Sequence, residues 1–361
     1  CLIVRRGGQA YKLPVLSENY PQDVTLVASA NGSATFSVQI TEPGSPAEYT
    51  YKWYKGGNLV SGTTGATLNL TGLTAAATTT VYCEVTNKAG TVTSRVATLT
   101  VRDWKPTYSY TGNAQFVDDG NYNWRIKFLT SGTLTFSSLG NATTLDAFCV
   151  GGGGGGCGGN GASRAGGGGG GGGYTKTSTG LSVALNTAYT VVVGAGGAFG
   201  YATNVAGDGG ASSIFGVSAA GGKRGVTVPY NGSSGGAGGS GGGGGGEWYN
   251  DHDGGAGGSN GLDGKASGTG SGGAGKGQGS TTREFGESSG TLYAGGGGGA
   301  GATVCAAGGA GGGGNGAKEQ TGHVNSTNGA TNLGGGGGGN FASDTGTGYG
   351  GSGIVIIRNH R

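Results

Sequence analysis

The chain has 361 residues, a formal net charge of +3, 11% charged residues and 95 glycines. So weak a field argues against nucleic acid and an anionic membrane surface as the main partner, and no stretch approaches the ~20 apolar residues that a membrane-spanning helix needs. The five cysteines, Cys1, Cys83, Cys149, Cys157 and Cys305, are odd in number and irregular in spacing, and spell neither a zinc motif nor a dense disulfide framework.

Residues 1–20 read as an N-terminal arm. Leu2, Ile3 and Val4 form a short apolar strand, Arg5 and Arg6 lead into a Gly-Gly turn, and 11–20 is irregular. These five residues are the candidates for docking on a partner, although an arm of this kind also pairs with its own domain. From 21 to 102 the pattern is short strands between turn signals: Val24–Val27, Ala34–Ile40, Tyr49–Tyr54, Thr67–Leu70, Thr80–Val85 and Val92–Val101. The alternation Ala34, Phe36, Val38, Ile40 puts one face inward. Strands at this spacing predict an antiparallel β-sandwich.

Trp53, in the phrase Tyr51-Lys-Trp-Tyr-Lys-Gly-Gly57, and Cys83, before Glu84-Val-Thr-Asn-Lys-Ala-Gly90, resemble the core tryptophan and second cysteine of an immunoglobulin-like module. Val38 stands where the first cysteine would be, so the resemblance implies a sandwich without its inter-sheet disulfide. Val81, two residues before Cys83, departs from the tyrosine of the family's corner.

A short connector, 103–115, opens the third region, 103–361. Only 14 of the 95 glycines precede residue 151, and 81 fall in the remaining 211 residues, with runs at 151–156, 166–173, 241–246, 295–299, 311–314 and 334–339. Glycine loses the most entropy on ordering, so such a segment stays disordered unless something regular satisfies its amides. There is no Gly-X-Y period and there are only six prolines, which excludes collagen. The runs alternate with strand phrases at Trp124–Phe128, Gly132–Phe136, Leu145–Val150, Ala188–Gly194 and Gly353–Arg358, whose β-branched residues have no use in a tether. The expectation is therefore an all-β chain with little or no α-helix, whose glycine runs form packed polyglycine II helices with three residues per turn, framed by strands.

The order of phrases from 115 to 358 resembles a glycine-rich domain family of phage tail and other virion proteins. The resemblance is carried by Val150-Gly-Gly-Gly, Tyr189-Thr-Val-Val-Val-Gly-Ala-Gly196, Gly209-Gly-Ala-Ser-Ser-Ile-Phe-Gly216 and the ending Gly348-Tyr-Gly-Gly-Ser-Gly-Ile-Val-Ile-Ile-Arg358. The region is also similar to the polyglycine sandwich of T-even-like phage adhesins, where loops between glycine runs touch the host receptor. That resemblance implies attachment to other virion proteins through the arm, a host surface glycan or protein as ligand, a homo-oligomer, and an extracellular position on the virion.

Catalytic signals are thin. His252, His323 and His360 have no nucleophile motif beside them, and a GxGxxG match carries no weight among so many glycines. Asp251-His252-Asp253 reads as a polar loop rather than a metal site, because adjacent residues seldom all face one ion. No cofactor is expected. Aromatic and polar insertions between runs make Trp248, Tyr249, His252, Tyr201, Tyr230, Phe285 and Phe341 the candidate receptor contacts. The sequence thus favours a non-enzymatic phage surface protein, a tail-fibre tip, adhesin or decoration. The alternative is a structural protein of a bacterial cell surface or extracellular matrix.

Overall fold

A computed structural model describes every residue except 1–2, 7–8, 160–165, 201–204, 227–232, 247–260, 269, 277–282, 320–321 and 342–346, with residues 3–6 and 9–10 described by backbone alone. The chain is all-β, and among the described residues helix is limited to one 3-10 turn, Glu284–Gly286. Two units are present. The first comprises Cys1–Thr107, Gly120–Tyr122 and Ser138–Ala142, and the second holds Tyr108–Asp119, Asn123–Ser137 and Thr143–Arg361.

The strands of the first unit are β1 (Ile3–Arg6), β2 (Gln9–Lys12), β3 (Val15–Leu16), β4 (Val24–Val27), β5 (Ala34–Ser37), β6 (Ile40–Glu42), β7 (Thr50–Lys55), β8 (Asn58–Leu59), β9 (Thr67–Leu70), β10 (Ala77–Asn87), β11 (Gly90–Thr93) and β12 (Ala97–Arg102). One sheet has the order β4-β12-β10-β7-β8 with β11 beside β10, and β5 pairs with β9. Their inner faces share one core, in which Phe36 and Leu68 meet Trp53, Val81, Cys83 and Leu99. The period-two alternation causes this: Val81, Cys83 and Val85 are buried while their neighbours turn outward. Trp53 lies opposite Cys83 in the β7–β10 register, fully buried, and its indole N–H donates to the Gly65 carbonyl at 3.0 Å. Burial of each such side chain stabilises the unit by about 1.5–3 kcal/mol.

The arm differs from its expected form. Arg5 and Arg6 belong to β1, which pairs antiparallel with β2 from Ile3↔Lys12 to Arg6↔Gln9. The stretch from Tyr11 onward is likewise ordered: Lys12 exchanges backbone bonds with Ser45 at 3.0 and 2.9 Å, and β3 pairs with β6. Leu2 lies outside the described residues.

In the second unit, β13 (Thr107–Tyr110), β14 (Ala114–Gly120), β15 (Asn123–Phe128), β16 (Gly132–Ser138), β17 (Leu145–Val150), β18 (Thr175–Leu181), β19 (Ala188–Val191), β20 (Ser212–Ile214), β21 (Val217–Ala219) and β22 (Ile354–Asn359) build the frame. The main sheet runs β14-β15-β22-β17-β18. The last strand, β22, therefore sits in the middle of it, with Phe148 opposite Ile356 on one side and Ile126 opposite Ile357 on the other. All six residues of β17 are buried, as a central strand covered on both faces requires.

Run 151–156 leaves β17 and run 166–173 leads into β18 as extended rods, and runs 241–246, 295–299 and 334–339 pack beside them. Rod 166–173 shows their rule. Gly166, Gly169 and Gly172 donate to the carbonyls of Gly246, Gly243 and Ser240, and Gly167, Gly170 and Gly173 to those of Asn340, Gly337 and Gly334. Gly171 and Tyr174 donate to Lys223 and Ala220, all these bonds being 2.8–3.1 Å. Successive amides thus leave in three directions, and each direction recurs every third residue. The rod's carbonyls accept on three further sides, from Gly154 and Cys157, from Gly297 and Ala300, and from Gly236 and Gly239. No glycine in 151–156 or 166–173 has a positive φ. Glycine is needed there for space: a Cβ on Gly170 would collide with the Gly154 carbonyl, and one on Gly154 with that of Lys223.

Rods at the edge of the packing break the pure glycine pattern. Along 194–200, Gly194, Gly197 and Gly200 are buried while Ala195 and Ala198 are exposed. In rods 151–156 and 166–173 the uninterrupted glycine run goes with burial of every residue, whereas the edge rod 194–200 exposes a residue at every third position.

Candidate functional site

Because neighbouring rods are locked in register, their ends fall in two layers. At the framed end, Gly151 donates to Tyr174, Gly173 to Gly334, Gly334 to Ser352 and Gly353 to Gly194. At the far end, Gly158 donates to Gly200, Gly159 to Asn340, Gly166 to Gly246, Gly246 to Ala300 and Gly301 to Ala317. A network of backbone bonds therefore holds the far ends as one rigid layer, and most of the non-glycine insertions depart from it. Backbone carbonyls and amides are consumed inside the packing, so any recognition at this layer rests on the inserted side chains.

Those insertions include apolar groups in water. Val304 is 55% and Val324 44% exposed in described turns at the far end, and Val205 and Val226, beside the insertions that start at 201 and 227, are 71% and 45% exposed. The turn carrying Val324 is closed by reciprocal backbone bonds to Lys318 at 2.8 and 2.9 Å. Next to it, His323 Nε2 lies 2.9 Å from Asn325 Oδ1. Cys305 is an exposed thiol in the turn after Val304.

The predicted contact residues divide. Trp248, Tyr249, His252, Tyr201 and Tyr230 lie outside the described residues, though the chain enters their segments from far-end positions Gly246, Gly200 and Val226. Phe341 is corrected: it is only 2% exposed and packs against Ala300, Ala302 and Ala317, so it seals the rod ends instead of facing a receptor. Phe285 lies apart from the others. It sits at the framed end, partly buried, 6.0 Å from the Phe148 ring and under the Arg358 guanidinium at 4.1 Å.

Around Phe285 lies a feature that sequence reading missed. Four carboxylates, Asp119, Asp146, Glu284 and Glu287, meet Arg125, Lys127, Arg358 and Arg361 over the main sheet. Arg125 donates from Nε to both Asp119 oxygens at 2.9 and 2.8 Å, and from Nη2 to Glu287 at 3.0 Å, and it also pairs with Glu284. Lys127 pairs with Glu284, which accepts from the Tyr293 hydroxyl at 2.6 Å. Arg358 Nε donates to fully buried Asp146 at 3.0 Å, and Asp146 also lies 2.6 Å from His360 Nδ1. Burial alone would push the Glu284 carboxyl up, but Lys127, Tyr293 and Arg125 outweigh it and the group sits below its ordinary range. Asp119 is likewise held down, its burial outweighed by Arg125 and Arg361. Phe285 takes a left-handed φ of 54°, unusual for a bulky residue, which the ring contact and the flanking ion pairs hold in place.

A cleft of about 270 Å³ opens beside this network, lined among others by Gln115, Asp119, Arg125, Lys127 and Glu287. Every charged group of that lining is engaged in an ion pair, Arg125 serving Asp119, Glu284 and Glu287 together and Lys127 pairing with Glu284. The arrangement clamps the segment carrying Glu284 and Glu287 onto the sheet. The partners are scattered over more than 200 residues, from Asp119 to Arg361, which is why no local motif announced them.

A family model described as a glycine-rich domain matches residues 129–360. No curated protein matches the chain. Among solved structures, the chain is similar to SGBP-B of the Bacteroides ovatus mixed-linkage glucan utilization locus, in complex with a mixed-linkage heptasaccharide, at 12% identity and a TM-score of 0.18. The match covers 34% of this chain and 51% of that one, so the chain spans about half the length of that structure.

Proposed function

Because this chain belongs to the glycine-rich domain family, we propose that it is a non-enzymatic binding protein of a surface, and specifically a phage virion protein that grips the host through the far ends of its glycine rods. The observation that carries the reading is the layering: neighbouring rods are held in register by backbone bonds, so that their far ends, from which the segments holding the proposed contacts depart, lie in one layer. The rods are read as polyglycine II helices, whose three-residue turn matches the bonding repeat. The first unit is read as an immunoglobulin-like spacer, supported by the shared core around Trp53. The β1–β2 hairpin is the proposed docking element toward other virion proteins. Several copies on one particle would convert weak single contacts into avidity. Trp248, Tyr249, His252, Tyr201 and Tyr230 are the proposed contacts with a host glycan or protein.

The test is binding of the fluorescently labelled chain to a panel of bacterial cells, compared with a Trp248→Ala/Tyr249→Ala variant. Saturable binding to some strains that the double substitution weakens at least tenfold, or about 1.4 kcal/mol, supports the reading. Absence of binding to every strain, or binding indifferent to the substitutions, contradicts it.

A further inference from the structure

Within the first unit, the segment leading into β4 and the turn between β11 and β12 form an open dish of about 440 Å³, lined by Asn19, Tyr20, Gln22, Asp23 and Arg95. Two of these groups are fixed in advance. Arg95 donates from Nη1 to the Pro21 carbonyl at 2.6 Å and from Nη2 to Asp23 Oδ2 at 3.0 Å, while Asp23 Oδ1 accepts the Thr98 N–H at 2.8 Å. The Arg95 bond, with the Thr98 N–H, holds the Asp23 carboxyl below its ordinary value. The other three groups are unspent: among the described residues, no hydrogen bond engages the side-chain amides of Asn19 and Gln22 or the Tyr20 hydroxyl.

We propose that this dish is a subsite for a neutral pyranose residue of a glycan. Amide, carboxylate and guanidinium groups each present paired hydrogen-bonding atoms in a plane, which suits the adjacent hydroxyls of a sugar ring. Tyr20 adds a ring for the sugar's C–H face and a polar tip. A peptide ligand would need an apolar anchor pocket, and Tyr20 is the only ring or large apolar side chain in the lining. An ionic ligand finds no uncompensated charge, because Asp23 and Arg95 neutralise each other. One open subsite with partly solvated groups implies weak affinity, a Kd on the order of 1 mM. The inference does not rest on the far-end reading, since it involves other residues of another unit.

The experiment is saturation-transfer NMR on the full chain with the methyl glycosides of glucose, galactose, mannose and N-acetylglucosamine, together with sialic acid and a mixed-sequence peptide. At least one neutral glycoside is expected to bind, and Tyr20→Ala and Gln22→Ala each to weaken it roughly tenfold. Tyr20→Phe should retain most of the binding, and Trp248→Ala/Tyr249→Ala all of it. Gln22 is exposed, so its variant reports even where Tyr20→Ala perturbs the fold. The proposal is overturned if no glycoside binds, if binding survives Gln22→Ala unchanged, or if only sialic acid or the peptide binds.

Discussion

Replacing Gly170 by alanine separates a packed lattice from a flexible tether by the sign of the effect. In a tether, alanine is neutral, and at an unstrained ordered site it stabilises by about 0.4–1 kcal/mol through the unfolded chain. In the structure, a Cβ at Gly170 collides with the backbone carbonyl of Gly154, which cannot swing aside as a side chain would. Overpacking of this kind costs about 1–3 kcal/mol. The displacement also strains two bonds of 2.8 Å, from Gly170 to the Gly337 carbonyl and from Gly297 to that of Gly170, each worth about 0.5–1.5 kcal/mol. After the entropic gain is subtracted, the net loss is about 1–5 kcal/mol. A loss near 3 kcal/mol lowers the melting temperature of a unit this size by on the order of 10 °C. Calorimetry of wild type, Gly170→Ala and the edge control Ala198→Ser measures it, Ala198 being exposed on its rod. The control should stay within about 0.5 kcal/mol. A Gly170→Ala protein as stable as wild type, or more so, refutes the lattice.

Three further outcomes follow from the same structure. Ile356 is fully buried in the central strand β22, so Ile356→Ala should cost the second unit about 2–5 kcal/mol while the melting of the first unit, followed separately, is unmoved. Glu284 and Asp119 have folded pKa values below their unfolded ones. Their contribution is therefore present above the ordinary carboxylate range, about 4, and is lost as pH falls through the lower folded values. Acid titration of urea stability should show that decline, and Glu284→Gln should flatten it. Burial pushes the Cys83 and Cys149 thiols up to about 12, so maleimide labelling read by mass spectrometry should modify exposed Cys305 in the native state and those two only after unfolding.

Strands with a period of two or a run of β-branched residues were legible, whereas the polar strands β14 and β18 were not, and the expected strand Ala34–Ile40 ends at Ser37, with Ile40 beginning β6. Val24–Val27 and Thr67–Leu70 keep the expected bounds, whereas Val92–Val101 divides into β11 and β12 around buried Ser94, whose hydroxyl accepts the Cys83 N–H at 2.9 Å. The glycine runs were legible as rods, but the distinction between interior and edge was not drawn, although Gly194-Ala-Gly-Gly-Ala-Phe-Gly200 spells it in threes. Phe341 was misread because a residue that follows a glycine run looks exposed, and only the tertiary packing reveals Ala300, Ala302 and Ala317 beneath it. The ionic clamp was invisible for a different reason. Asp146 and Arg358 become neighbours only when β17 pairs with β22.

The central claim is that backbone bonds between rods order the glycine region, and amide hydrogen exchange resolved by NMR tests it most directly. In the interior rod, every amide from Gly166 to Gly173 has an acceptor, so all eight should exchange only through global or large-scale opening. In the edge rod, Gly194, Gly197 and Gly200 donate, to Ser212 Oγ and to the Gly153 and Gly156 carbonyls. The amides of Ala195, Gly196, Ala198 and Phe199 have no acceptor among the described residues. The account predicts uniform protection in the first rod and protection of every third amide in the second. Rapid exchange throughout 166–173, or protection in 194–200 without a three-residue period, contradicts it.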